Sequence, residues 1–366
     1  MKVIIAGGGT GGHIFPAVAI AHALRKLRPQ VELLFVGAKG KMEMEKVPQE
    51  GFKIVGLDIA GFNRSNLLKN ITLPLKLIKS RVQANKIIKD FKPDAVIGVG
   101  GYASFPMLYA AQAKGIPTLI QEQNSFAGKS NKILGRNAQA VCVAYQNMER
   151  FFPAEKIKLT GNPVRAVISQ STVTRAEGLA AFQLAESRKT ILIVGGSLGA
   201  KTINESIFLG LNELLNEHVQ LIWQTGKSFI HQAEEAAADF KSKVVVQEFI
   251  RNMEYAYAAA DIVISRAGAL ASAELCLLGK PVIFVPYPFA AEDHQTSNAQ
   301  ALVAHNAAMM VADNEAKTDL IPKLKNLLQD EQMQQLLAEN ILKHGVRDAD
   351  TRIAHEILNI INGSGL

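Results

Sequence analysis

Two glycine-rich stretches, each directly after a run of aliphatic residues, are the first places in this sequence that could do chemistry. They lie at residues 3–13 and 190–200, and each is followed by the pattern of a helix. Glycine lets the backbone turn sharply, so its N–H groups and the positive end of the helix can meet an anion. In the second stretch Ser197 adds a hydroxyl, and the loop and helix start together suit a diphosphate without a metal. Asn204, one turn into the helix that follows, could add an amide.

His13 directly follows the first glycine loop, where a side chain with a pKa near ~6.5 could transfer a proton. It could equally cap or pack against the start of the helix, and the residues alone leave both roles open. Gly7, Gly9 and Gly12 match the spacing G-x-G-x-x-G of dinucleotide-binding proteins. That fingerprint also needs an acidic residue near the end of the second strand, and residues 35–39 contain none. The sequence therefore disfavours a nicotinamide cofactor.

Two later segments offer groups that suit sugar hydroxyls. Residues 265–274 place small residues at another strand end, and Glu274 follows one helical turn further on, where a carboxylate can accept two ribose hydroxyls. Residues 286–298 lead into a helix rich in amides, which donate and accept hydrogen bonds at once. The spacing of histidines and cysteines does not resemble a zinc site, and the acids at 348–350 suit a helix start. We therefore expect no metal and no cofactor.

The elements that must position these residues alternate between strand and helix in the first half of the chain. Aliphatic runs predict strands at 2–6, 31–36, 52–59, 94–99, 117–121 and 140–145, and periodic patterns predict helices at 15–28, 74–91 and 104–114. Nearly continuous apolar strands indicate a parallel sheet that is covered on both faces. Because ligands bind at the carboxyl ends of such strands, one edge of the sheet should carry residues 7–13, 98–104 and 122–125.

Residues 161–165 close the first half, and the second half repeats the alternation after a candidate linker near residues 169–175. Strands are predicted at 190–194, 219–224, 243–247, 261–265, 281–285 and 308–312, and the pattern beyond residue 318 is helical, with an amphipathic run at 348–361. A chain of this length suits two cores of roughly 150–200 residues each. Hydrophobic residues make up 48% of the chain and charged residues 20%, which supports buried sheets. The sequence thus predicts an α/β protein of two domains.

The net charge of +7 hides an asymmetry between the two halves. Residues 1–165 carry 24 Lys and Arg against 10 Asp and Glu, whereas the rest of the chain carries 16 against 23. A basic first half attracts anionic membrane surfaces or acidic substrates. Nucleic acid is disfavoured as a partner, because few aromatic residues accompany the basic clusters and no zinc-finger or helix-turn-helix signature is present.

The segment 66–92 mixes aliphatic and basic residues, and Pro74 is placed to start a helix. It could be a core-packed helix with a solvated basic face, or a membrane-surface patch whose aliphatic residues dip between headgroups while lysines meet anionic lipid. The basic excess of the first half favours the second interpretation.

No apolar run approaches the ~20 residues of a membrane span, and the N-terminus does not resemble a signal peptide. The sequence has two cysteines, too few to suggest a disulfide framework, so we expect the protein to be located in the cytoplasm.

Several motifs, in order, resemble the MurG family of bacterial N-acetylglucosaminyltransferases across essentially the whole chain. They are Gly-Gly-Thr-Gly-Gly-His at 8–13, Gly-Val-Gly-Gly-Tyr at 98–102, Gln-Glu-Gln-Asn at 121–124, Gly-Asn-Pro-Val-Arg at 161–165, Gly-Gly-Ser at 195–197, Arg-Ala-Gly-Ala at 266–269 and Asp-His-Gln at 293–295. The resemblance implies a GT-B glycosyltransferase, with two Rossmann-like, doubly wound domains and a cleft between them. It implies an acceptor and membrane-associating domain at 1–163, a UDP-GlcNAc-binding domain at 164–345 and a last helix at 346–366 that crosses back to the first domain.

The same resemblance implies an inverting, metal-independent hexosyltransferase of peptidoglycan synthesis. It would move GlcNAc from UDP-GlcNAc to the MurNAc 4-hydroxyl of undecaprenyl-pyrophosphoryl-MurNAc-pentapeptide, converting lipid I to lipid II. It would act as a peripheral enzyme at the cytoplasmic face of the cell membrane, with other cell-wall synthesis proteins as candidate partners. A UDP-GlcNAc 2-epimerase, a related glycolipid synthase and a non-catalytic nucleotide-sugar sensor remain as alternatives. The basic aliphatic patch disfavours the epimerase, whose soluble substrate gives no reason for it.

Residue by residue, the resemblance implies one catalytic position and two binding sets. His13 matches the loop histidine of the family, and we hypothesise that it is the general base. Donor contacts fall on Thr10, Gly11, Gly12, Asn124, Arg165, Ser197, Asn204, Ile250, Ala269, Leu270, Ala271, Ser272, Ala273, Glu274, Gln295 and Asn298. Acceptor contacts fall on Gly100, Gly101, Tyr102 and Glu122.

The donor set divides by the part of the nucleotide sugar that each residue would meet. The family pattern places Ser197 and its loop at the diphosphate, the Ile250 backbone at the uracil, Glu274 at the ribose and Gln295 at the sugar. Leu198 stands where some members carry glutamine, so we expect no side-chain contact from it.

Overall fold

The structure, a computed structural model, describes residues 1–59 and 73–363 of the chain. It forms two compact units, which are Met1–Arg165 together with Arg347–Leu366, and Ala166–Val346. Each unit is built on a parallel sheet that helices cover.

The first unit contains the strands β1 (Lys2–Ala6), β2 (Glu32–Ala38), β3 (Lys53–Leu57), β4 (Ala95–Gly98), β5 (Thr118–Glu122), β6 (Ala140–Val143) and β7 (Ile157–Leu159). Within the described residues these seven strands pair in parallel in the order β3-β2-β1-β4-β5-β6-β7. In the register of the sheet, Ile5 lies opposite Phe35 on one side and Ile97 on the other. The helices between the strands are α1 (Gly11–Leu27), α2 (Glu43–Gln49), α3 (Leu73–Phe91), α4 (Ser104–Gln112) and α5 (Lys129–Gly135).

Strand β1 shows why the sheet is buried on both faces. Val3, Ile4 and Ile5 are all fully buried. Because successive side chains of a strand point to opposite faces, Val3 and Ile5 pack in one apolar cluster with α1, and Ile4 packs in another with α4. A strand of this kind needs apolar residues at every position, which is why the strands are continuous aliphatic runs in the sequence.

The second unit begins with α6 (Ala166–Ser169), α7 (Arg175–Ala181), β8 (Lys189–Val194), α8 (Lys201–Leu215), β9 (Val219–Gln224), α9 (Ile230–Ala236) and β10 (Val244–Gln247). It continues with α10 (Met253–Ala259), β11 (Ile262–Ser265), α11 (Ala269–Leu278), β12 (Val282–Phe284), α12 (His294–Val303), β13 (Met309–Met310), α13 (Ala316–Gln329) and α14 (Glu331–Leu342). The strands of this described unit pair in parallel in the order β10-β9-β8-β11-β12-β13. Trp223 is fully buried in the apolar cluster between this sheet, α8 and α13.

The last helix, α15 (Ala349–Gly363), belongs to the first unit although it follows the second in sequence. Ile353 and Ile357 lie one turn apart on α15 and are fully buried in the cluster that holds Val3 and Ile5. The helix therefore covers the same face of the first sheet as α1.

The structure confirms the predicted alternation of strands and helices and adds short elements that the patterns missed. Helices α2 and α5 span seven residues each and the edge strand β7 spans three, so none is long enough to show a period. The helical pattern beyond residue 318 divides into α13, α14 and α15.

Of the basic segment 66–92, α3 is described, whereas residues 66–72 lie outside the described residues. In the described parts of the chain, no helix has both the length and the apolar content of a membrane span.

Candidate functional site

The carboxyl ends of β1, β4 and β5 lie side by side, and the loops that follow them are in contact. Gly8 donates its N–H to Gly100 O at 3.2 Å, and Gln123 Nε2 donates to Val99 O at 2.8 Å. Gly101 adopts a φ of +85°, and a Cβ there would collide with the carbonyl of Gly8, so only glycine fits. The prediction of one shared edge is confirmed for residues 7–13, 98–104 and 122–125.

His13 lies in the first turn of α1, and the glycine loops fix its ring. Its Nδ1 lies 3.0 Å from Gly8 O. A carbonyl oxygen can only accept a hydrogen bond, so Nδ1 carries the hydrogen and the lone pair of the neutral ring is on Nε2. The ring packs on Gly100, where a Cβ would come within 2.8 Å of Nε2. This is the tautomer that a general base acting through Nε2 requires.

Helix α1 begins at this edge with backbone N–H groups that its own first turn does not cap. Thr10 is its N-cap residue, but the Thr10 side chain makes no capping hydrogen bond, and its Oγ1 lies 3.4 Å from His13 Nδ1. The first turn contains no acidic residue. The helix dipole at Gly11 and Gly12 therefore favours an anion.

Glu43, which the sequence analysis did not single out, joins the first glycine loop to the end of β2. Its Oε2 accepts the N–H of Gly9 at 2.7 Å, and its Oε1 accepts the N–H of Ala38 at 2.9 Å. The residue is buried, and a Cβ at Gly8 would collide with its carboxylate. An acid is thus present after the second strand, but it binds the backbone of the protein. In the sequence it does not differ visibly from the exposed Glu45.

Glu122, a predicted acceptor contact, is buried and bonded to its own loop. It is 2% exposed, and its Oε1 accepts the N–H of Asn124 at 3.1 Å. Its Oε2 accepts Asn131 Nδ2 at 2.8 Å and the N–H of Gly128 at 3.1 Å. The carboxylate therefore holds the loop after β5 from inside, and it also orients Asn124, whose Nδ2 lies 3.3 Å from Oε1. Its contact with the acceptor stays a prediction.

Arg165 lies near the first turns of α1. Its guanidinium carbon is 5.8 Å from the ring centroid of Phe15, two residues after His13. A buried amide pair supports the preceding segment, because Gln121 Nε2 donates to Asn162 Oδ1 at 3.0 Å. Of the predicted residues, the first unit places the following on the loops at this edge or beside them: Thr10, Gly11, Gly12, His13, Gly100, Gly101, Tyr102, Asn124 and Arg165.

The second unit repeats this arrangement after β8. The loop 195–200 turns through Gly196 and Gly199, whose φ angles are +87° and +78°. Gly199 lies against the carbonyl of Thr225, and a Cβ on Gly199 would collide with it. Helix α8 then begins with no side-chain cap and no acid in its first turn. The loop and the helix end suit an anion, and Ser197 is exposed there.

Two residues predicted to contact the donor are buried and bonded to the protein. Asn204 is 1% exposed, its Nδ2 donates to Thr225 O at 2.8 Å, and its Oδ1 accepts Trp223 Nε1 at 3.0 Å. These bonds hold the loop after β9, and the contact of Asn204 with the donor stays a prediction. Ile250 donates its N–H to Gln224 Oε1 at 2.8 Å, so only the carbonyl of its backbone is left for a base.

The segment after β11 forms another part of this edge. Helix α11 begins at Ala269 without a side-chain cap, and its first turns are small or aliphatic at Ala269, Leu270, Ala271, Ser272 and Ala273. Glu274 is buried, and its Oε2 accepts the hydroxyl of Tyr257 at 2.9 Å. Ser272 Oγ is buried and has no hydrogen-bond partner within residues 1–59 and 73–363.

The amide-rich helix α12 carries two residues that are predicted to contact the sugar, and they differ in exposure. Gln295 is half-buried, and its Oε1 accepts the N–H of Tyr287 at 3.0 Å, which orients its amide. Asn298 is fully buried, and its Nδ2 donates to Ala267 O at 3.2 Å. Asn298 therefore supports the turn before α11, and its contact with the sugar stays a prediction.

Arg266, which the sequence analysis named only within a motif, connects three elements at this edge. It donates from Nη1 to Val285 O at 2.9 Å and forms an ion pair with Asp313. Asp313 in turn accepts the hydroxyl of Thr202, in the first turn of α8, at 3.0 Å. The chain of contacts fixes the start of α8 relative to β11 and β12.

Neither cysteine is a candidate for thiolate chemistry. Burial raises the pKa of Cys276 to about 12 and raises that of Cys142 further. Within the ranges that the structure describes, there is no group of three or more His, Cys, Asp or Glu that could hold a metal ion. The candidate reactive groups are therefore the imidazole, the carboxylates and the backbone N–H groups.

Both edges fall within domains of a known family. Residues 3–143 match the glycosyltransferase family 28 N-terminal domain, and residues 190–353 match the glycosyltransferase family 28 C-terminal domain. The first match spans β1 to β6, and the second runs from β8 into α15.

Curated relatives are similar over nearly the whole chain. The UDP-N-acetylglucosamine--N-acetylmuramyl-(pentapeptide) pyrophosphoryl-undecaprenol N-acetylglucosamine transferase of Parabacteroides distasonis is 51% identical over 362 residues, which is 99% of this chain and 98% of the relative. The protein of the same name from Christiangramia forsetii is 48% identical, again over 99% of this chain and 98% of the relative.

Solved structures are similar to this chain in fold over nearly its whole length. The crystal structure of Acinetobacter baumannii MurG has a TM-score of 0.79 and 31% identity, covering 98% of this chain and 99% of that chain. The UDP-GlcNAc 2-epimerase of Neisseria meningitidis, bound to UDP-GlcNAc, has a TM-score of 0.68, covering 98% of this chain and 100% of that chain, but at 17% identity it is alike in fold alone. The predicted GT-B fold class, with two Rossmann-like units, is confirmed. With these similarities along its whole length, the chain belongs to the MurG family within glycosyltransferase family 28.

Proposed function

We propose that this chain transfers GlcNAc from UDP-GlcNAc to the MurNAc 4-hydroxyl of undecaprenyl-pyrophosphoryl-MurNAc-pentapeptide, the conversion of lipid I to lipid II in peptidoglycan synthesis. The observation that carries this function is the 51% identity, over 99% of the chain, to a transferase named for this donor and this acceptor class. The two glycine-rich edges are consistent with it, because diphosphate substrates need backbone N–H donors. The chain is a UDP-GlcNAc-dependent hexosyltransferase.

The second unit is the proposed binding domain for UDP-GlcNAc. Ser197 and the uncapped start of α8 meet the diphosphate, and the carbonyl of Ile250 meets the uracil. Glu274 accepts the ribose hydroxyls, and Gln295 binds the sugar. The support for these roles is the position of all four at the carboxyl edge of one parallel sheet, where such folds bind ligands. Donor contacts from the first unit, at Thr10, Gly11, Gly12, Asn124 and Arg165, remain predictions.

His13 is the proposed general base. Its Nε2 takes the proton of the MurNAc 4-hydroxyl as the oxygen bonds to the anomeric carbon of GlcNAc. The bond from that carbon to the diphosphate breaks, its electron pair leaves with UDP, and attack from the opposite face inverts the configuration. The hydrogen bond from Nδ1 to Gly8 O supports this role, because it stabilises the imidazolium that forms. Backbone N–H groups at the helix end stabilise the charge that develops on the diphosphate.

The first unit is the proposed acceptor and membrane-associating domain, and α3 carries its contact with the anionic cytoplasmic membrane surface. Leu75, Ile78 and Val82 lie at helical spacing and are 70%, 64% and 64% exposed, whereas Ile88 faces the core. Lys76 and Lys89 of the same helix suit anionic headgroups. The sequence left open whether this helix packs on the core or presents a basic aliphatic surface. In the structure it has one face packed on the core and another face that is exposed, basic and aliphatic.

An aspartate anchors this helix to the sheet. Asp58, which follows β3, accepts Lys79 Nζ and Lys39 Nζ at 3.0 Å each and Gln83 Nε2 at 2.8 Å. The hydrogen bonds from Lys79 and then Lys39 hold the pKa of Asp58 well below its ordinary value. Asp58 is therefore charged at neutral pH, and it fixes the side of α3 that remains exposed.

The test of the proposed function is release of UDP from UDP-GlcNAc by the purified chain, with and without the undecaprenyl-linked acceptor in detergent micelles. We expect UDP release only when both substrates are present. Conversion of UDP-GlcNAc to its 2-epimer without acceptor would identify an epimerase instead. Binding of UDP-GlcNAc without turnover under either condition would identify a nucleotide-sugar sensor.

A further inference from the structure

Gln224, the last residue of β9, connects the two backbone segments to which we assign the diphosphate and the uracil. Its Nε2 donates to Gly196 O at 2.9 Å, and its Oε1 accepts the N–H of Ile250 at 2.8 Å. The residue is 4% exposed. A single buried carboxamide therefore joins the loop after β8 to the segment before α10.

The two partners of Gln224 require opposite hydrogen-bonding groups. Gly196 O can only accept a hydrogen bond, and the N–H of Ile250 can only donate one. A side chain that bonds to both partners must carry a donor and an acceptor at the same distance from its backbone, as a carboxamide does. An ionised glutamate of the same shape cannot donate to Gly196 O, and a leucine can do neither. The bond to Ile250 is buried and the bond to Gly196 is partly buried, and a hydrogen bond shielded from water is stronger than one in solvent.

We infer that Gln224 is a positioning residue that sets the distance between the diphosphate loop and the uracil-binding segment. The inference rests on the proposed function, because it takes residues 195–200 as the diphosphate site and Ile250 as the uracil site. With a fixed distance, a nucleotide bound at one end presents its other end at high effective concentration. Loss of Gln224 should therefore weaken a ligand that uses both ends more than a ligand that uses one.

The same strand offers a matched control. Gln220 is fully buried near the start of β9, and its Oε1 accepts the N–H of Ala185 at 3.0 Å while its Nε2 donates to Ala185 O at 2.8 Å. Because the strands of this sheet are parallel, Gln220 lies toward their amino ends and Gln224 at their carboxyl ends. Gln220 Nε2 also donates to Thr190 Oγ1 at 2.9 Å, so substituting either glutamine removes buried side-chain hydrogen bonds, but only Gln224 contacts the segments assigned to the donor.

The experiment measures binding of UDP by calorimetry and of uridine by NMR titration, with the whole protein and its variants. We expect Gln224→Leu to weaken UDP binding about tenfold and uridine binding less than about twofold. Gln220→Leu should lower the melting temperature and leave both affinities unchanged. Equal weakening of UDP and uridine by Gln224→Leu, or equal loss of UDP binding in the two leucine variants, would overturn the inference.

A second variant tests the hydrogen-bond requirement directly and serves if Gln224→Leu does not fold. In Gln224→Glu, a protonated carboxyl can donate to Gly196 O and accept from Ile250, whereas the ionised form cannot. The UDP affinity of this variant, relative to wild type at the same pH, should recover as the pH falls from about 8 to about 6. A ratio that does not change with pH contradicts the inference. Wild-type protein that binds neither UDP nor UDP-GlcNAc would instead contradict the proposed function.

Discussion

At the scale of single residues, the proposed chemistry depends on one imidazole held in one tautomer. The carbonyl of Gly8 keeps the hydrogen on Nδ1 of His13, and Gly100 lets the ring lie close to the backbone. Glu43 holds the loop that carries this carbonyl, because it accepts the N–H of Gly9. The proposed base, the carbonyl that orients it and the Glu43 carboxylate that holds the loop therefore form one connected group.

Replacing His13 with alanine should lower kcat by about 10²–10⁴-fold, because the acceptor hydroxyl loses the group that takes its proton. The KM for UDP-GlcNAc should change much less, since most donor contacts are assigned to the second unit. Steady-state kinetics with both substrates measures the two effects. The control is His22→Ala, on the same helix, where the side chain is half exposed and pairs with Glu50. Turnover near the wild-type rate in the His13 variant would exclude it as the base.

Glu43→Gln should destabilise the protein by about 1–3 kcal/mol, because an amide cannot accept both backbone N–H groups as a carboxylate does. The looser loop should also lower kcat, since it carries the carbonyl that orients His13. Glu45→Gln, at an exposed position on the same helix, is the control and should change stability by less than about 0.5 kcal/mol. Denaturant unfolding and kinetics on both variants check this, and matching behaviour of the two would count against the assigned role of Glu43.

At the scale of elements, the strands and glycine loops were predictable because their signals are local. An aliphatic run followed by glycine marks a strand end wherever it occurs, as at residues 3–13 and 190–200. The supporting contacts were not predictable, since Glu43 reaches Gly9 across 34 residues and Gln224 reaches Gly196 across 28. Which side of a helix faces the sheet is also a tertiary property.

This tertiary property decides which predicted site residues are buried. Asn204 and Asn298 are expected to bind the donor because their amides suit sugar or phosphate groups, and both lie on the buried sides of their helices. Glu122 is expected at the acceptor, and its carboxylate bonds to its own loop. In each case the residue type indicates hydrogen bonding, the bonds to the protein follow from the fold, and the ligand contact stays a prediction.

The exposed face of α3 makes a testable prediction about membrane binding. The double variant Ile78→Ser and Val82→Ser should reduce cosedimentation with vesicles that contain anionic phospholipid, because the helix loses apolar residues that enter the headgroup region. The affinity for UDP should not change. Leu209→Ser, at a 68% exposed position of α8 in the second unit, is the matched control. Equal vesicle binding by the double variant and wild type would remove α3 from the proposed membrane contact.

At the scale of the whole molecule, two sheets with their own cores carry separate parts of the proposed reaction. The chain leaves the first unit after Arg165, builds the second, and returns at Arg347 to place α15 on the first sheet. The amphipathic run at 348–361 correctly indicated a helix, but spacing alone could not tell which core it joins. Its buried residues Ile353 and Ile357 now identify that core as the one around β1.

Ile357→Ala should therefore destabilise the first unit by about 2–5 kcal/mol, because it leaves a cavity between α15 and the sheet. UDP binding by the second unit should persist under conditions where both units remain folded. Leu336→Ala, at a half-exposed position of α14, is the control and should have a small effect on stability. Thermal unfolding and UDP titration measure the two properties. An unchanged melting temperature in Ile357→Ala would contradict the assignment of α15 to this core.

The measurement that tests the central claim most directly is mass spectrometry of the lipid product. The purified chain is incubated with UDP-GlcNAc and undecaprenyl-pyrophosphoryl-MurNAc-pentapeptide, and the lipid fraction and released UDP are quantified together. The account predicts that the lipid gains one GlcNAc residue for each UDP released. If the protein is folded and the mass of the acceptor lipid does not change, the account is contradicted, whether or not UDP-GlcNAc is consumed.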